Sequence, residues 1–333
     1  MMKIAINGFG RIGRPVFKIA MDHPEIEVVA INDLTDIENL AYLLKYDTVY
    51  GVYHHDVQIK EGNLLVGGKE IKCFSEKNPA DLPWKDLEVD MVVESTGVFK
   101  DKDSAGAHLE AGAGKVIISA PTKDENIKTI VYGVNEGDLE QNDTVVSNAS
   151  CTTNCIAPMM KVLDEKFGVE KSLMSTIHSY TSTQSIVDGP SKKDARRGRA
   201  AAYNVVPTST GAAQASALTL PQLDGIFDGM AFRVPTLAGS VSDIVAVLRG
   251  EVTEGEINQA FEEAEENNLK DVLKTSSEPL VSHDILGSSY STIVQTDLTK
   301  VTGGNLVKVV GWYDNEWGYS ARVIDLALYM NNL

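Results

Sequence analysis

An apolar run, Lys3 to Asn7, leads at once into Gly8-Phe9-Gly10-Arg11-Ile12-Gly13 and then into a helical pattern from Arg14 to about Met21. A buried strand that feeds a helix through so tight a glycine turn predicts an α/β chain with a parallel, doubly wound sheet. The next apolar run, Glu27 to Ile31, ends in Asn32-Asp33. In that setting each glycine has its own task. Gly8 permits the turn, Gly10 lets backbone approach a pyrophosphate, and Gly13 allows the helix to pack closely on the strand. The pyrophosphate itself rests on the helix N-terminus. Asp33 stands at the spacing of a ribose-binding acid, where it accepts from hydroxyls and repels a 2′-phosphate, which favours NAD over NADP. The competing reading is a structural glycine turn that binds nothing.

The pattern continues with Val57 to Val66, a Gly67-Gly68 turn and Ile71 to Phe74, which read as antiparallel strands. Val89 to Glu94 and Lys115 to Ser119 read as parallel strands around a helix from Lys102 to Ala111. They end in Ser95-Thr96-Gly97 and Ser119-Ala120-Pro121, small polar residues of the kind that line a ligand crevice at strand C-termini or simply make turns. His54, His55 and His108 fall in loop or surface-helix contexts, which predicts solvated rings without a role.

Thr144-Val145-Val146 precedes Ser147-Asn148-Ala149-Ser150-Cys151-Thr152-Thr153-Asn154-Cys155, and a helical pattern runs on from Ile156 to Phe167. Cys151 therefore stands where a strand gives way to the first turn of a helix. Unpaired N–H groups and the positive end of the dipole favour an anion there, which predicts a lowered thiol pKa and a usable nucleophile. Ser150, Thr152 and Thr153 add hydroxyl donors beside the sulfur. The plain alternative is a small buried hydrophobe, as most free cysteines are.

Further on, Ser172 to Ile177 reads as a strand ending at His178-Ser179-Tyr180-Thr181. His178 suits a general base for Cys151 or a substrate, although a lone histidine is often structural. A long irregular segment from Ser179 to about Val205 carries the one concentrated basic run, Lys192-Lys193-Asp194-Ala195-Arg196-Arg197-Gly198-Arg199. That island either pairs with acidic neighbours or receives a small anion. Thr208 to Ala213 opens another helical run, a second anion cradle, and Phe232 to Thr236 is a strand end bearing Arg233. Two hydroxyl-rich helix entries with Arg197 and Arg233 suit a small phosphorylated substrate. In their structural reading Arg197 only pairs with acids and Thr210 only caps its helix. Ser242 to Leu248 and Leu306 to Tyr313 are strands, Glu254 to Asn268 an acidic amphipathic helix, and Ala321 to Met330 a last helix.

Composition narrows what remains. At 333 residues the chain suits two domains, and a net charge of −17 disfavours non-specific nucleic-acid binding. Three cysteines, Cys73, Cys151 and Cys155, are too few and odd for a disulfide framework and point to a reducing, cytoplasmic setting. No second cysteine pair accompanies Cys151 and Cys155, so no metal site is expected, and no apolar run approaches membrane-spanning length.

Six stretches, Asn7 to Arg14, Ser147 to Cys155, His178 to Thr181, Ser209 to Ala213, Ala231 to Thr236 and Trp312 to Ser320, together resemble the phosphorylating glyceraldehyde-3-phosphate dehydrogenase family, in order and over essentially the whole chain. The resemblance implies a Rossmann NAD-binding domain over residues 1–150, completed by a C-terminal helix at 316–333, and an α+β catalytic domain with a mixed sheet over 151–315. It also implies a homotetramer, Cys151 as nucleophile and His178 as base. Arg11, Ile12, Asp33, Ser119 and Asn315 would contact NAD, with Asn315 orienting the nicotinamide, and Lys77 stands where the family often has an arginine near the adenine. Ser150, Thr152, Thr210, Gly211 and Arg197 would hold inorganic phosphate, and Thr181 and Arg233 the substrate's own phosphate. Thr183 stands where many bacterial relatives have aspartate, and Leu237-Ala238-Gly239-Ser240 departs from the family's usual wording. Asp33 with Gly189-Pro190 favours NAD, since relatives that use NADP tend to alter these places. The implied reaction is conversion of glyceraldehyde 3-phosphate to 1,3-bisphosphoglycerate, in glycolysis or gluconeogenesis. An erythrose-4-phosphate dehydrogenase is the nearest rival. A cofactor-free cysteine hydrolase and a non-catalytic binding protein are the others.

Overall fold

The computed structural model describes residues 1–192 and 194–333, and Lys193 of the basic run lies outside them. By its contacts the chain divides into two compact units. One comprises Met1–Ile130, Glu136–Ala149 and Ser320–Leu333, the other Val131–Asn135 and Ser150–Tyr319.

The first unit is built on a nine-stranded sheet. Its parallel part runs in the order Lys128–Thr129, Val145–Ser147, Lys115–Ile118, Met91–Glu94, Met2–Asn7, Ile26–Asn32 and Lys69–Phe74. The antiparallel strands Asn63–Val66 and Val57–Lys60 extend it, so the run read as one strand from Val57 to Val66 is a hairpin. Its turn places Glu61 and Gly62 at positive φ. Alternating apolar side chains bury Ile4, Ile6, Val92, Ile117 and Ile31 completely. Packing of this apolar layer, rather than strand propensity, holds the parallel strands together.

At the C-terminal ends of three neighbouring strands the side chains turn polar. Asn7 pairs in register with Asn32 on one side and Glu94 on the other. Asn32 Nδ2 donates to Asn7 Oδ1 at 2.7 Å, and Asn7 Nδ2 donates to Glu94 Oε2 at 2.5 Å. His108 completes this network and corrects the expectation of a solvated ring. It lies on the helix Lys102–Glu110 and is fully buried. Trp84 Nε1 donates to its Nδ1 at 2.9 Å, which leaves the ring proton on Nε2, 3.1 Å from Glu94 Oε2. A buried polar group needs such partners, and sequence spacing alone does not reveal them.

The second unit is built on an eight-stranded mixed sheet. Its main path is Val206–Ser209, Phe227–Val234, Val169–Ser179, Ser240–Leu248, Leu306–Tyr313, Thr292–Gln295 and Leu273–Ser276, and Lys300–Thr302 pairs on the side. The long helix Cys151–Phe167 packs on the central strands and against the helices Ala212–Thr219 and Glu254–Glu266. Thr253 and Glu256 form a reciprocal capping box at the start of the last of these, which satisfies two otherwise orphaned groups there. Among its described residues the long irregular stretch after Ser179 contains one short 3-10 turn, Ala195–Gly198, before the strand Val206–Ser209.

Candidate active site

The glycine turn of the first unit is tight in two places and open in one. Gly8 has φ +93°, and a Cβ there would meet Thr96 N at 2.6 Å. A Cβ on Gly13 would stand 2.0 Å from the Gly8 carbonyl oxygen. Gly10, by contrast, has nothing within 4 Å of that position, so its backbone is approachable. Arg11 and Ile12 follow. Ile12 is the N-cap of the helix Gly13–Asp22 and makes no side-chain cap bond, so its cap position offers no side chain to the helix's first N–H groups. The Arg11 guanidinium turns to Asp47, 2.6 Å away, which leaves its backbone as the part facing the turn.

A cavity of about 370 Å³ opens beside Gly8 and Gly10, with Asn32, Asp33, Lys77, Ser95 and Thr96 among its walls. Asp33 is held in place by two backbone N–H groups, Phe9 at 2.7 Å and Thr35 at 2.9 Å, one on each oxygen. Ser119 stands at the end of its strand with its N–H on the Glu94 carbonyl, outside the residues that line this cavity. Asn315 belongs to the second unit. Its Oδ1 accepts from Ser179 Oγ, Ser240 Oγ and the Gly239 N–H, at 3.0, 3.0 and 3.1 Å. A backbone N–H can only donate, so the amide has one orientation and presents Nδ2 as its donor. The unusual Gly239-Ser240 wording thus has a structural part, as two of the three donors that fix this amide.

In the second unit Ser150 is the N-cap of the helix that Cys151 begins, and its Oγ accepts from the Thr153 N–H at 3.0 Å. The preceding residue, Ala149, is forced to φ +56° and is fully buried. A non-glycine residue there costs of order 1–3 kcal/mol, a strain met mostly at functional sites. This strained residue immediately precedes the Ser150 cap of the helix, whose first residue is Cys151.

Cys151 Sγ lies 3.5 Å from His178 Nε2. His178 is inside the strand Val169–Ser179, one residue before its end, and is 3% exposed. Burial, helped by the nearby Arg233 charge, pushes its pKa down to about 3, so the ring is neutral at neutral pH. Its Nδ1 stands between two groups with opposite demands. The Ser179 carbonyl at 2.7 Å accepts a proton from it, whereas Arg233 Nη1 at 2.6 Å can only donate to it. With the proton on Nδ1 and the Ser179 contact made, Nε2 is left as a lone pair facing the sulfur.

The thiol departs from expectation. Burial pushes the Cys151 pKa up, and Arg233, the Thr152 N–H and the Thr152 hydroxyl pull it down without offsetting that. The helix-entry argument omits desolvation, which here is the larger effect. The residue as a whole is only half-buried, so the recess around it is not fully closed. Cys155, one turn on, is fully buried with its thiol pushed up to about 12. It is the inert hydrophobe of the pair.

Tyr313 was not singled out by sequence and is central here. Its ring meets His178 edge-on at 5.9 Å, and its hydroxyl links Thr152 Oγ1 at 3.0 Å to Thr176 Oγ1 at 2.7 Å. The sequence signals for it are its place at the end of the mostly apolar strand Leu306–Tyr313 and within the family stretch Trp312 to Ser320.

The remaining candidates are Arg197, Arg233, Thr181, Thr210 and Gly211. Arg197 Nε donates to Thr208 Oγ1 at 2.9 Å, whereas Arg199 pairs with Asp188 at 3.0 Å, so acid pairing accounts for Arg199. Arg197 lies close enough to Arg233 for their charges to repel, and burial is the larger influence lowering the Arg233 pKa. Two guanidinium groups held this close favour an anion between them. Thr181 Oγ1 bonds Thr183 Oγ1 at 2.9 Å, and Thr210 Oγ1 accepts from the Ala212 N–H at 3.2 Å. Gly211, the N-cap of the helix Ala212–Thr219, has open space where a Cβ would be.

A glycine cradle beside a cavity in one unit and a thiol beside a neutral imidazole in the other are features of a dinucleotide-dependent dehydrogenase. Two family models match the chain: the glyceraldehyde 3-phosphate dehydrogenase NAD binding domain over residues 2–102, and the C-terminal domain of the same enzymes over residues 150–315. The chain is 56% identical to glyceraldehyde-3-phosphate dehydrogenase 1 of Bacillus cereus, over all of this chain and 99% of that one. It is 55% identical to the Geobacillus stearothermophilus enzyme, over 99% and 98% of the two chains, and 54% identical to that of Thermotoga maritima, over 98% of each. The chain belongs to the glyceraldehyde-3-phosphate dehydrogenase family, and NAD is its cofactor.

Proposed function

We propose that this chain oxidises D-glyceraldehyde 3-phosphate and captures the product on inorganic phosphate, giving 1,3-bisphosphoglycerate. The observation that carries the proposal is the Cys151–His178 pair at 3.5 Å, with Arg233 on the histidine and Arg197 nearby. Cofactor binding is assigned to residues 1–150 completed by 316–333, and catalysis to residues 151–315.

The open backbone at Gly10, the adjoining cavity and the Asp33 carboxylate fit a dinucleotide. Arg11, Ile12 and Gly13 would present the helix N-terminus to its pyrophosphate, Asp33 a ribose, Lys77 the adenine end and Ser119 the rim. Asn315 would donate Nδ2 to a carboxamide oxygen. When bound, NAD supplies the acceptor for a hydride. The chain's own residues do the rest. Cys151 Sγ bonds to the aldehyde carbon as the C=O π bond opens and the thiol proton passes to the carbonyl oxygen, giving a hemithioacetal that bears a hydroxyl. His178 Nε2 takes the hydroxyl proton as the C–H electron pair departs as hydride, which leaves a thioester. A phosphate oxygen, held by Arg197, Thr210, Gly211, Ser150 and Thr152, then attacks the thioester carbon, and the Cys151 thiolate leaves. Arg233 and Thr181 hold the substrate's own phosphate, and moving Arg233 onto it would free His178 Nδ1 to donate to the Ser179 carbonyl.

The test is NADH formation from glyceraldehyde 3-phosphate with and without inorganic phosphate, repeated with NADP and with erythrose 4-phosphate. Phosphate-dependent reduction of NAD, faster on the three-carbon aldehyde, is the expected result. Equal rates without phosphate would overturn the acyl-transfer half of the proposal, and faster turnover of erythrose 4-phosphate the substrate.

The glycine geometry separates binding from folding. Gly13→Ala should lower stability by about 1–3 kcal/mol, because its methyl has no room. Gly10→Ala should leave the unfolding midpoint nearly unchanged yet weaken NAD binding by about ten-fold or more. Denaturant unfolding and NAD titration of both variants check this, and a destabilised G10A with normal NAD binding would contradict it.

Association into a homotetramer is part of the same reading. The outer face of the second unit's sheet supports it, since Leu173, Val245 and Leu306 stand exposed there around an apolar hollow. Three free thiols support a reducing, cytoplasmic location. Among the described residues no helix is long and apolar enough to cross a membrane.

A further inference from the structure

His54 and His55 are not scattered surface rings. With Asp22 they bring three ligand atoms within 4.8 Å of one another. His55 Nε2 lies 2.8 Å and His54 Nε2 3.3 Å from the same oxygen, Asp22 Oδ1. The rings are held rather than free. Both meet Tyr53 edge-on, at 5.0 and 5.3 Å, their own centroids are 4.2 Å apart, and Gly67 closes over His55. Asp22 is the last residue of the helix Gly13–Asp22, whose final turn carries no basic residue. A carboxylate at the negative end of a helix dipole is a poor place for an acid and a good one for a cation. The Lys18 Nζ is turned over the Tyr53 ring at 5.0 Å.

We propose that Asp22, His54 and His55 bind one divalent transition cation of the zinc class, with water completing a tetrahedral shell. Ligand atoms about 2.0–2.1 Å from such an ion lie roughly 3.3 Å apart, close to the spacing already present. Two imidazole nitrogens and one carboxylate select zinc, nickel or copper over magnesium and calcium, which take oxygen. The ion ties the C-terminal end of the helix that begins at the glycine turn to the bend at His54-His55, and so stiffens the cofactor-binding unit.

The test uses the full chain carrying Cys151→Ser, so that the site thiol does not compete. Zn²⁺ binding is measured by equilibrium dialysis in excess Mg²⁺, alongside the melting temperature. One Zn²⁺ per chain is expected, with a higher melting temperature. His54→Gln and Asp22→Asn should each weaken binding by about ten-fold or more and lose the thermal shift, while His283→Gln changes neither. His54 is mostly exposed, so its variant keeps the fold, and the metal-free melting temperature verifies this. No bound Zn²⁺, or binding that H54Q and D22N leave untouched, would overturn the proposal.

Discussion

Cys151→Ser should reduce phosphate-dependent NADH formation by on the order of 10⁴-fold or more, the scale seen when a covalent nucleophile is removed. The reason lies in the recess. Burial already pushes a thiol upward here, and a hydroxyl starts far higher, so the serine would stay protonated at every working pH. The fold should be unaffected, because the Ser150 cap and the Thr153 N–H bond do not involve the sulfur. Initial rates, with intact-protein mass to look for a trapped acyl group, check both points. Turnover near that of the parent chain would sink the covalent mechanism.

His178→Asn carries the second largest effect, a loss of about 10²–10⁴-fold in turnover, the usual worth of a positioned base. Its pH dependence is distinctive. The folded ring titrates near 3 against an ordinary 6.5, so the base is already neutral through the range from pH 6 to 8. The deficit of the variant should therefore stay constant across that range instead of closing below pH 6.5. Stability carries the same sign. Between 6.5 and 3 the unfolded chain takes up a proton that the folded one refuses. This contribution is fully present above 6.5 and is lost as pH falls through 3, so H178N should be less acid-sensitive in unfolding. A rate deficit that vanishes in acid would instead mean an imidazole with an ordinary pKa.

Much of this was legible in the sequence, for definite reasons. Gly8 and Gly13 permit what no other residue does at positive φ or at 2.0 Å from a carbonyl, so their spacing specifies the turn. Cys151 reads as a helix entry, and the helix does begin there, five residues ahead of the apolar pattern that starts at Ile156, while the Ser150 cap goes unread. What could not be read were properties that depend on burial from several directions. His108 looks like a surface residue until Trp84 and Glu94 are placed against it. The direction of the Cys151 pKa is a contest between a helix terminus, visible in sequence, and desolvation, which is not. The contact between Arg233 and His178 joins residues on neighbouring parallel strands, paired directly across the sheet, and only the register reveals it.

The row of hydroxyls through Tyr313 has a direction. Thr176 Oγ1 donates to the Val241 carbonyl at 3.4 Å, so in that sense each proton points away from the helix mouth, Thr152 to Tyr313 to Thr176. Thr152 then offers only lone pairs toward the sulfur. Turn all three rotors, at the loss of one long bond to Val241, and Thr152 donates toward Cys151 instead. The arrow of this small wire would follow the charge on the sulfur: inward beside a thiolate, outward beside a neutral sulfur. Three rotating protons can thus track the electronic state of the site while no heavy atom moves.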